Sequence, residues 1–448
     1  MTSPTEADAK TGVLTLPAVI TSKVSDLFGS TAKKGVWALG DQAIVSGTNF
    51  LSTVAVGRWC ELEQLGLYSL AFGVMVLLGV FQHSLILNPY AVFSSRLPAS
   101  RRPRYLGSVV LQQGLFSVAG SGLLVTLAVA MSGSQNYAKF SNIALVLALA
   151  MPFFTLREFI RRILLARLNV RATFVLDSCV AAFQIAGLIA LGMLNRLSAV
   201  SAYLVVAIAC AVPSLVWLFL SRKAIVIRTR VAWKTIARHW VYGRWVCASQ
   251  FTDVVQKYSL HWILAILVGV EATGMYTAYS SIVMIFNPFI LAIGGVLLPR
   301  AAHVHHVGGV SELRRVVIKT TFIMGTVMAI SCVPVAIFGD TVVDQLYQLY
   351  ATESMTLLMS LLCATILVAT LCIPADNGLC VLERPRISFL SGLSGLVVTI
   401  LITPILAIGW GIEGAALGAL ISVSVAAIVQ LTAFLRVTRE EVRPGDAA

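Results

Sequence analysis

Apolar runs about twenty residues long recur along almost the whole chain, separated by short polar connections. A helix rising about 1.5 Å per residue needs about that many apolar residues to cross a bilayer. The pattern predicts spans over 36–57, 66–88, 107–131, 142–160, 172–194, 199–220, 244–269, 274–298, 317–338, 356–381, 388–408 and 414–435. Connections as short as Gly409 to Glu413 force antiparallel hairpins. The fold class read from this pattern is all-α: a polytopic membrane protein of about 12 transmembrane helices.

Composition agrees. Of the 448 residues, 58% are hydrophobic and 12% charged, against roughly 25% charged in a soluble protein. One water-soluble core could not bury that much apolar surface, so lipid must solvate the outside. The net charge of +13 lies in short connections rather than a compact basic domain, which excludes a nucleic-acid binder. Its distribution sets orientation instead. Of the 33 Lys and Arg, only Arg58, Lys139 and Arg196 fall in connections on one side of the membrane, and Lys257 lies within a span. The rest fall on the other side, which the positive-inside rule makes cytoplasmic. Both termini are then cytoplasmic, and the basic residues meet anionic headgroups. The expected location is the cell inner (cytoplasmic) membrane.

The N-terminal apolar stretch Val13–Ile20 contains Pro17 and is too short for a secretory signal. Ile20, Val24, Leu27 and Phe28 share a helical face, as a helix lying on the membrane surface would present. The eight cysteines include no C-x-x-C pair and read as small packing residues. His303, His305 and His306 form only a weak metal-like tract. No motif requires a metal or another cofactor.

The chain also repeats itself. A shift of 208 residues superposes Gly35, Trp37, Gln42, Glu63, Gly66 and Tyr68 on Gly243, Trp245, Gln250, Glu271, Gly274 and Tyr276. The same shift matches span boundaries. An even number of spans per half makes the repeats parallel, related by an axis along the membrane normal. The expected organisation is a cytoplasmic segment 1–34, an N-lobe 35–220 with six spans, a basic linker 221–240, a C-lobe 241–435 with six more, and a tail 436–448.

Polar side chains inside a bilayer are costly, so their positions carry information. In the first span Gln42, Ser46, Asn49 and Thr53 form one stripe, flanked by Asp41, Thr48 and Ser52. In the seventh, Gln250, Asp253, Lys257 and His261 form its equivalent. Two symmetry-related polar faces predict a water-filled cavity between the lobes, in preference to hydrogen-bond glue. Asp253 and Lys257 stand four apart. Either they neutralise each other, or Lys257 holds an anionic substrate and Asp253 a coupling cation or proton. Asp41, Asp177 and Asp376 are further embedded carboxylates, and Pro374 predicts a broken helix beside Asp376. Arg157, Arg161 and Arg162 end the fourth span at a cytoplasmic mouth, where Arg157 and Arg161 are candidate anion contacts. Pro288 predicts a kink in the eighth span.

The opening ALGDQAIVSGTNFLSTVAVGRW, the E-x-x-G-x-Y turn after it, and the C-terminal LERPRISFLSG and GWGIEGAALGALISV resemble polysaccharide and O-antigen flippases. These form one branch of the multidrug/oligosaccharidyl-lipid/polysaccharide exporter (MOP) superfamily. The resemblance spans residues 35–435. It implies two six-helix lobes in a V that alternate between inward-open and outward-open states. It further implies a polyprenyl-diphosphate-linked oligosaccharide carried from the cytoplasmic to the outer leaflet, in company with other polysaccharide-assembly proteins. The family's cavity is cationic; here the recognisable charge is mixed. Expected substrate contacts are Gln42, Asn49, Gln250, Lys257, His261, Arg157 and Arg161. Asp41, Asp253 and Asp376 are expected to couple transport to sodium ion, proton or membrane potential.

Two other readings stay open. Multidrug and toxin extrusion antiporters share this fold and place carboxylates on the first, seventh and tenth spans, as Asp41, Asp253 and Asp376 do. A membrane enzyme acting on lipid-linked glycans needs an equipped external domain, and the external segment 339–354 is short and holds no base or histidine. The expectation is therefore a non-enzymatic transporter.

Overall fold

The computed structural model describes residues 16–133, 138–222, 225–226, 229–348 and 355–442. Its helices are α1 (Leu16–Trp59), α2 (Leu62–Gln82), α3 (Asn88–Ser95), α4 (Arg102–Ser132), α5 (Ala138–Ala166), α6 (Val170–Met193), α7 (Ala199–Ser221), α8 (Thr229–Leu267), α9 (Val270–Val283), α10 (Asn287–Tyr347), α11 (Thr356–Val381) and α12 (Pro385–Val442). A π-helical turn, His83–Leu87, joins α2 to α3, and a 3-10 turn, Met284–Phe286, joins α9 to α10. The two longest helices each double back. Gly309 (φ 67°) breaks α10, and Trp410 with Gly411 (φ 58°) breaks α12. A positive φ costs glycine nothing, so the chain can reverse there without strain. Counting those reversals, and taking α2 with α3 and α9 with the first part of α10 as single crossings, the described chain crosses twelve times. Residues 443–448 and Glu353 lie outside the described residues.

Eight helices are by themselves long and apolar enough to cross a membrane. The 44-residue α1 and the 39-residue α8 are not among them. These are the two helices that carry the polar stripes. Helix α1 packs on α6, while α4 packs on α5, and α7 on both α5 and α6. In the other half α10 packs on α11, α11 on α12, and α12 on α8. The two groups meet along a seam formed by α2 against α8 and α9. The largest cluster of buried side chains crosses that seam, joining Val56, Leu65, Tyr68 and Met75 to Leu260, Leu264, Tyr276 and Tyr279.

Four local expectations are revised. The N-terminal amphipathic segment is not a separate surface helix: from Leu16 it runs without a break into the first crossing. Pro374 does not interrupt α11, which is continuous from Thr356 to Val381. The expected inside loop that carries His303, His305 and His306 is helical, and Gly309 alone makes the turn. Among the described residues no group of three or more His, Cys, Asp or Glu could hold a metal ion. The kink expected at Pro288 occurs one step earlier, as the 3-10 turn before Asn287.

Candidate functional site

Five helices of the first group enclose a cavity of about 140 Å³. Thr48 and Asn49 reach it from α1, Tyr68 and Phe72 from α2, Arg157 and Glu158 from α5, Asp177 and Gln184 from α6, and Tyr203 from α7. Apolar residues face outward on the same helices: Leu51, Val175 and Phe183 are exposed. One side of α1 and α6 is therefore apolar and exposed while the other meets a polar interior. At one end of the cavity Tyr68 stacks on Tyr203 with centroids 5.0 Å apart, and the Tyr203 hydroxyl donates to the Tyr68 carbonyl at 2.8 Å.

The other end is a charge network. Arg157 donates to Asp177 at 2.5 Å and also pairs with Glu158. Arg161 donates through Nε to Asp177 at 2.7 Å and through Nη2 to Asp41 at 2.7 Å. The Asp177 side chain is fully buried, and that of Asp41 is 6% exposed. Buried carboxylates this well enclosed persist only when paired. Two of the expected anion contacts are thus already engaged by carboxylates, and the expected coupling residue Asp41 is held by Arg161. Asp177, 20 residues from Arg157 in sequence, binds both arginines at once.

The second stripe behaves differently. Gln250 bridges the seam, its Oε1 accepting from Ser84 Oγ at 3.0 Å. Asp253 points toward Gly392 of α12 and lies close enough to Asp376 for their charges to interact. Asp376 accepts from Gln430 at 3.0 Å. Among the described residues neither Asp253 nor Asp376 has a cation within ion-pair distance, and Lys257 has no carboxylate. Asp253 and Lys257 therefore do not neutralise each other. His261 packs its ring edge-on against Tyr276 at 5.2 Å and beside Tyr258, as a core histidine does. Gln42 is bonded within its own stripe, to Ser46 at 3.3 Å. The structure thus gathers Asn49, Arg157, Arg161 and Asp41 in one lobe, leaves Asp253, Asp376 and Lys257 in the other, and puts Gln250 between them.

The seam is sealed at the end where α1 turns into α2. A Cβ on Gly66 would lie 2.1 Å from the Val270 carbonyl oxygen, and one on Gly274 would lie 2.0 Å from that of Leu62. These are the two glycines of the repeated E-x-x-G-x-Y turn, and each admits the other lobe's backbone. Beside them Arg58 donates to the Gln345 and Leu346 carbonyls at 3.2 and 3.5 Å, covering the C-terminus of α10. Tyr347 lies over Gly57 and bonds Ser281 at 2.6 Å.

At the opposite end of the seam α8 docks on the first group. Tyr105 and His239 share a hydrogen bond of 2.8 Å, and the Ser108 and Thr235 hydroxyls are 3.1 Å apart. Arg238 lies 4.1 Å over the Phe93 ring. His239 sits in the linker part of α8, before the membrane crossing. Burial, with Arg238 adjacent, pushes its imidazole down from 6.5 to about 4.

No family model matches the sequence. A curated protein of Shigella flexneri named "Putative O-antigen transporter" is 23% identical over 327 residues, covering 69% of this chain and 74% of that protein. Among solved structures, an inward-facing multidrug resistance MATE family transporter of the MOP superfamily aligns with a TM-score of 0.74 at 15% identity, covering 89% of this chain and 95% of its own. The lipid II flippase MurJ in an inward closed conformation aligns with a TM-score of 0.71 at 13% identity, covering 91% and 90%. The chain has the fold shared by MOP-superfamily transporters and flippases, and its sequence similarity over 69% of its length to the protein named as a putative O-antigen transporter bears out the flippase resemblance.

Proposed function

We propose that the protein is a flippase that moves a lipid-linked oligosaccharide across the cell inner membrane by alternating access, with both termini cytoplasmic. The observation that carries this reading is the seam. The two helix groups meet where α2 lies against the polar-striped α8 and against α9, and the Gly66 and Gly274 backbone contacts close this seam beside a packed cluster that includes Leu65, Tyr68, Leu264 and Tyr276. Similarity to an O-antigen transporter over 69% of the chain favours a lipid-linked glycan as the cargo. The lobes would be 35–220 and 241–435, and other polysaccharide-assembly proteins would supply and receive the glycan.

In this reading Asn49, Gln250 and Lys257 line the path of the headgroup, with Gln42 and His261 supporting the stripes. Arg157 and Arg161 shape the cytoplasmic mouth through their carboxylate partners. Asp253 and Asp376, near each other and without a basic partner among the described residues, are better suited than Asp41 to take a coupling sodium ion or proton. That same pair is the specific observation favouring a cation-coupled drug antiporter as the second reading.

Purified protein in proteoliposomes separates the two. A fluorescent polyprenyl-diphosphate oligosaccharide should become accessible in the opposite leaflet only when protein is present. Efflux of an organic cation under a sodium or proton gradient, with the glycolipid immobile, would reverse the assignment.

A further inference from the structure

Three arginines end α5, and their bonding separates them. Arg157 and Arg161 are answered by Asp177, Asp41 and Glu158. Arg162 has no carboxylate within 4 Å among the described residues. Its Nη2 meets only neutral acceptors, His83 Nε2 at 2.9 Å and Asn88 Oδ1 at 3.2 Å. Glu158, the nearest acid along the helix, is committed to Arg157. The Arg162 charge is therefore oriented but not neutralised.

Its surroundings are built by the π-helical turn. A π turn holds an extra residue, widens the helix locally and recurs at functional sites. Here it splits consecutive residues between two directions. His83 turns to α5 and holds Arg162, while Ser84 turns to α8 and bonds Gln250. The residue that holds Arg162 is therefore the chain neighbour of one that bonds across the seam. Arg162 itself lies four residues before the end of α5 at Ala166, about 6 Å along the axis. On the flippase reading, with both termini cytoplasmic, this is the cytoplasmic end of the crossing.

A planar guanidinium with part of its fork free matches a phosphate oxygen pair. We propose that Arg162, oriented by His83 and Asn88, is the docking site for the diphosphate of the lipid-linked substrate at the cytoplasmic end of the seam. This rests on the flippase reading and assigns the anion contact to a residue other than Arg157 and Arg161.

The test is binding to the full-length protein in nanodiscs, with a polyprenyl diphosphate as probe and inorganic pyrophosphate as competitor. Arg162→Gln should weaken binding roughly tenfold or more, as expected for loss of a charged hydrogen bond. Arg162→Lys, which keeps the charge but not the fork, should fall between Arg162→Gln and wild type. Arg162→Gln leaves no buried carboxylate unpaired, so its melting temperature should stay near wild type. Should the Gln variant fold poorly, the Lys variant alone still decides, because binding equal to wild type there removes the need for a fork and overturns the proposal. Wild-type binding with no loss in Arg162→Gln overturns it as well. Equal competition by inorganic pyrophosphate assigns the site to a free anion and overturns the lipid assignment. Failure of the wild type to bind the polyprenyl diphosphate strikes the flippase reading itself, a separable outcome.

Discussion

The outer seal offers a perturbation whose size follows from geometry. A methyl group added at Gly66 would stand 2.1 Å from the Val270 carbonyl oxygen and 2.8 Å from Val270 Cγ1. Ordinary contacts begin near 3.4 Å, so α2 and α9 must separate by roughly an ångström for Gly66→Ala to be accommodated. Overpacking of that kind costs about 1–3 kcal/mol. Both faces of the contact are backbone, so no rotamer change can relieve it. The cost falls only on the outer-closed state, because parting the lobes removes the neighbour. About 2 kcal/mol per site is about a 30-fold shift toward outer opening. Gly274→Ala, with its Cβ 2.0 Å from the Leu62 carbonyl oxygen, should act in the same direction. Gly79→Ala on the same α2 helix is the control: nothing lies within 4 Å of its Cβ, and the helix gains up to about 1 kcal/mol of propensity. Spin labels at Arg196→Cys and Val342→Cys, one on each lobe's outer side, report the separation. Gly66→Ala with Gly274→Ala should lengthen the distance distribution, and Gly79→Ala should not. If all three give the wild-type distribution, the glycine contact is not the seal and the reasoning fails.

Arg58→Gln removes the cation covering the α10 C-terminus, and should move the same label distance outward by a smaller amount, about 1 kcal/mol. Asp177→Asn leaves Arg157 and Arg161 short of a buried carboxylate and should cost about 3–5 kcal/mol in unfolding; a loss below about 1 kcal/mol would mean that water already screens the network. His239 is neutral when folded, and its pKa falls from 6.5 to about 4 on burial. Between those values the unfolded chain binds the extra proton, so stability should drop as pH falls from about 6.5 toward 4, and His239→Gln should flatten that part of the melting profile. A disulfide between Ser108→Cys and Thr235→Cys, at hydroxyls 3.1 Å apart, should leave glycolipid translocation intact, whereas oxidation that blocks it would show that this contact opens during the cycle.

Much of the architecture could be read from the chain because the bilayer imposes a length and a polarity on every crossing. The duplicated E-x-x-G-x-Y turn was equally legible as a repeat. That its two glycines face each other's backbone was not, because a repeat reports equivalence and says nothing of contact. The stripe on α8 was visible through its spacing of three and four residues. Its distribution of roles was not: Gln250 bonds across the seam, Asp253 turns to α12, and His261 packs in the core. A helical period fixes a face, whereas partners depend on which helices lie against it. The Arg161–Asp41 pair joins residues 120 apart, beyond any local pattern. The π turn, His83–Leu87, has a sequence that fits a regular helix, where only Asn88-Pro89 hints at irregularity. Arg162 looked like one more topology anchor until its neighbours' carboxylates were assigned.

The position of α8 constrains how two such lobes can move. It is one unbroken helix, yet its partners change along its length. Thr235, His239 and Gln250 bond to the first group, and Gly243 lies against the Ser84 carbonyl. Only a few residues later, Asp253 lies against Gly392, and Gln256 donates to Ser422 at 3.1 Å. Relative rotation of the lobes must either undock the first half of α8 or bend the helix between Gln250 and Asp253, and in either case Tyr258, which lies against Gly73 of α2, must slide along the seam. Undocking would expose a fully buried histidine and strip a cation from an aromatic face. Bending by a few degrees only lengthens two or three backbone hydrogen bonds on one side. The lower cost lies with bending. The N-terminal half of α8 then moves with the first lobe, and the mechanical boundary falls within the polar stripe itself. Each rotation would thereby carry Lys257 relative to the docked Gln250, changing the polar surface that faces the headgroup as the path opens outward.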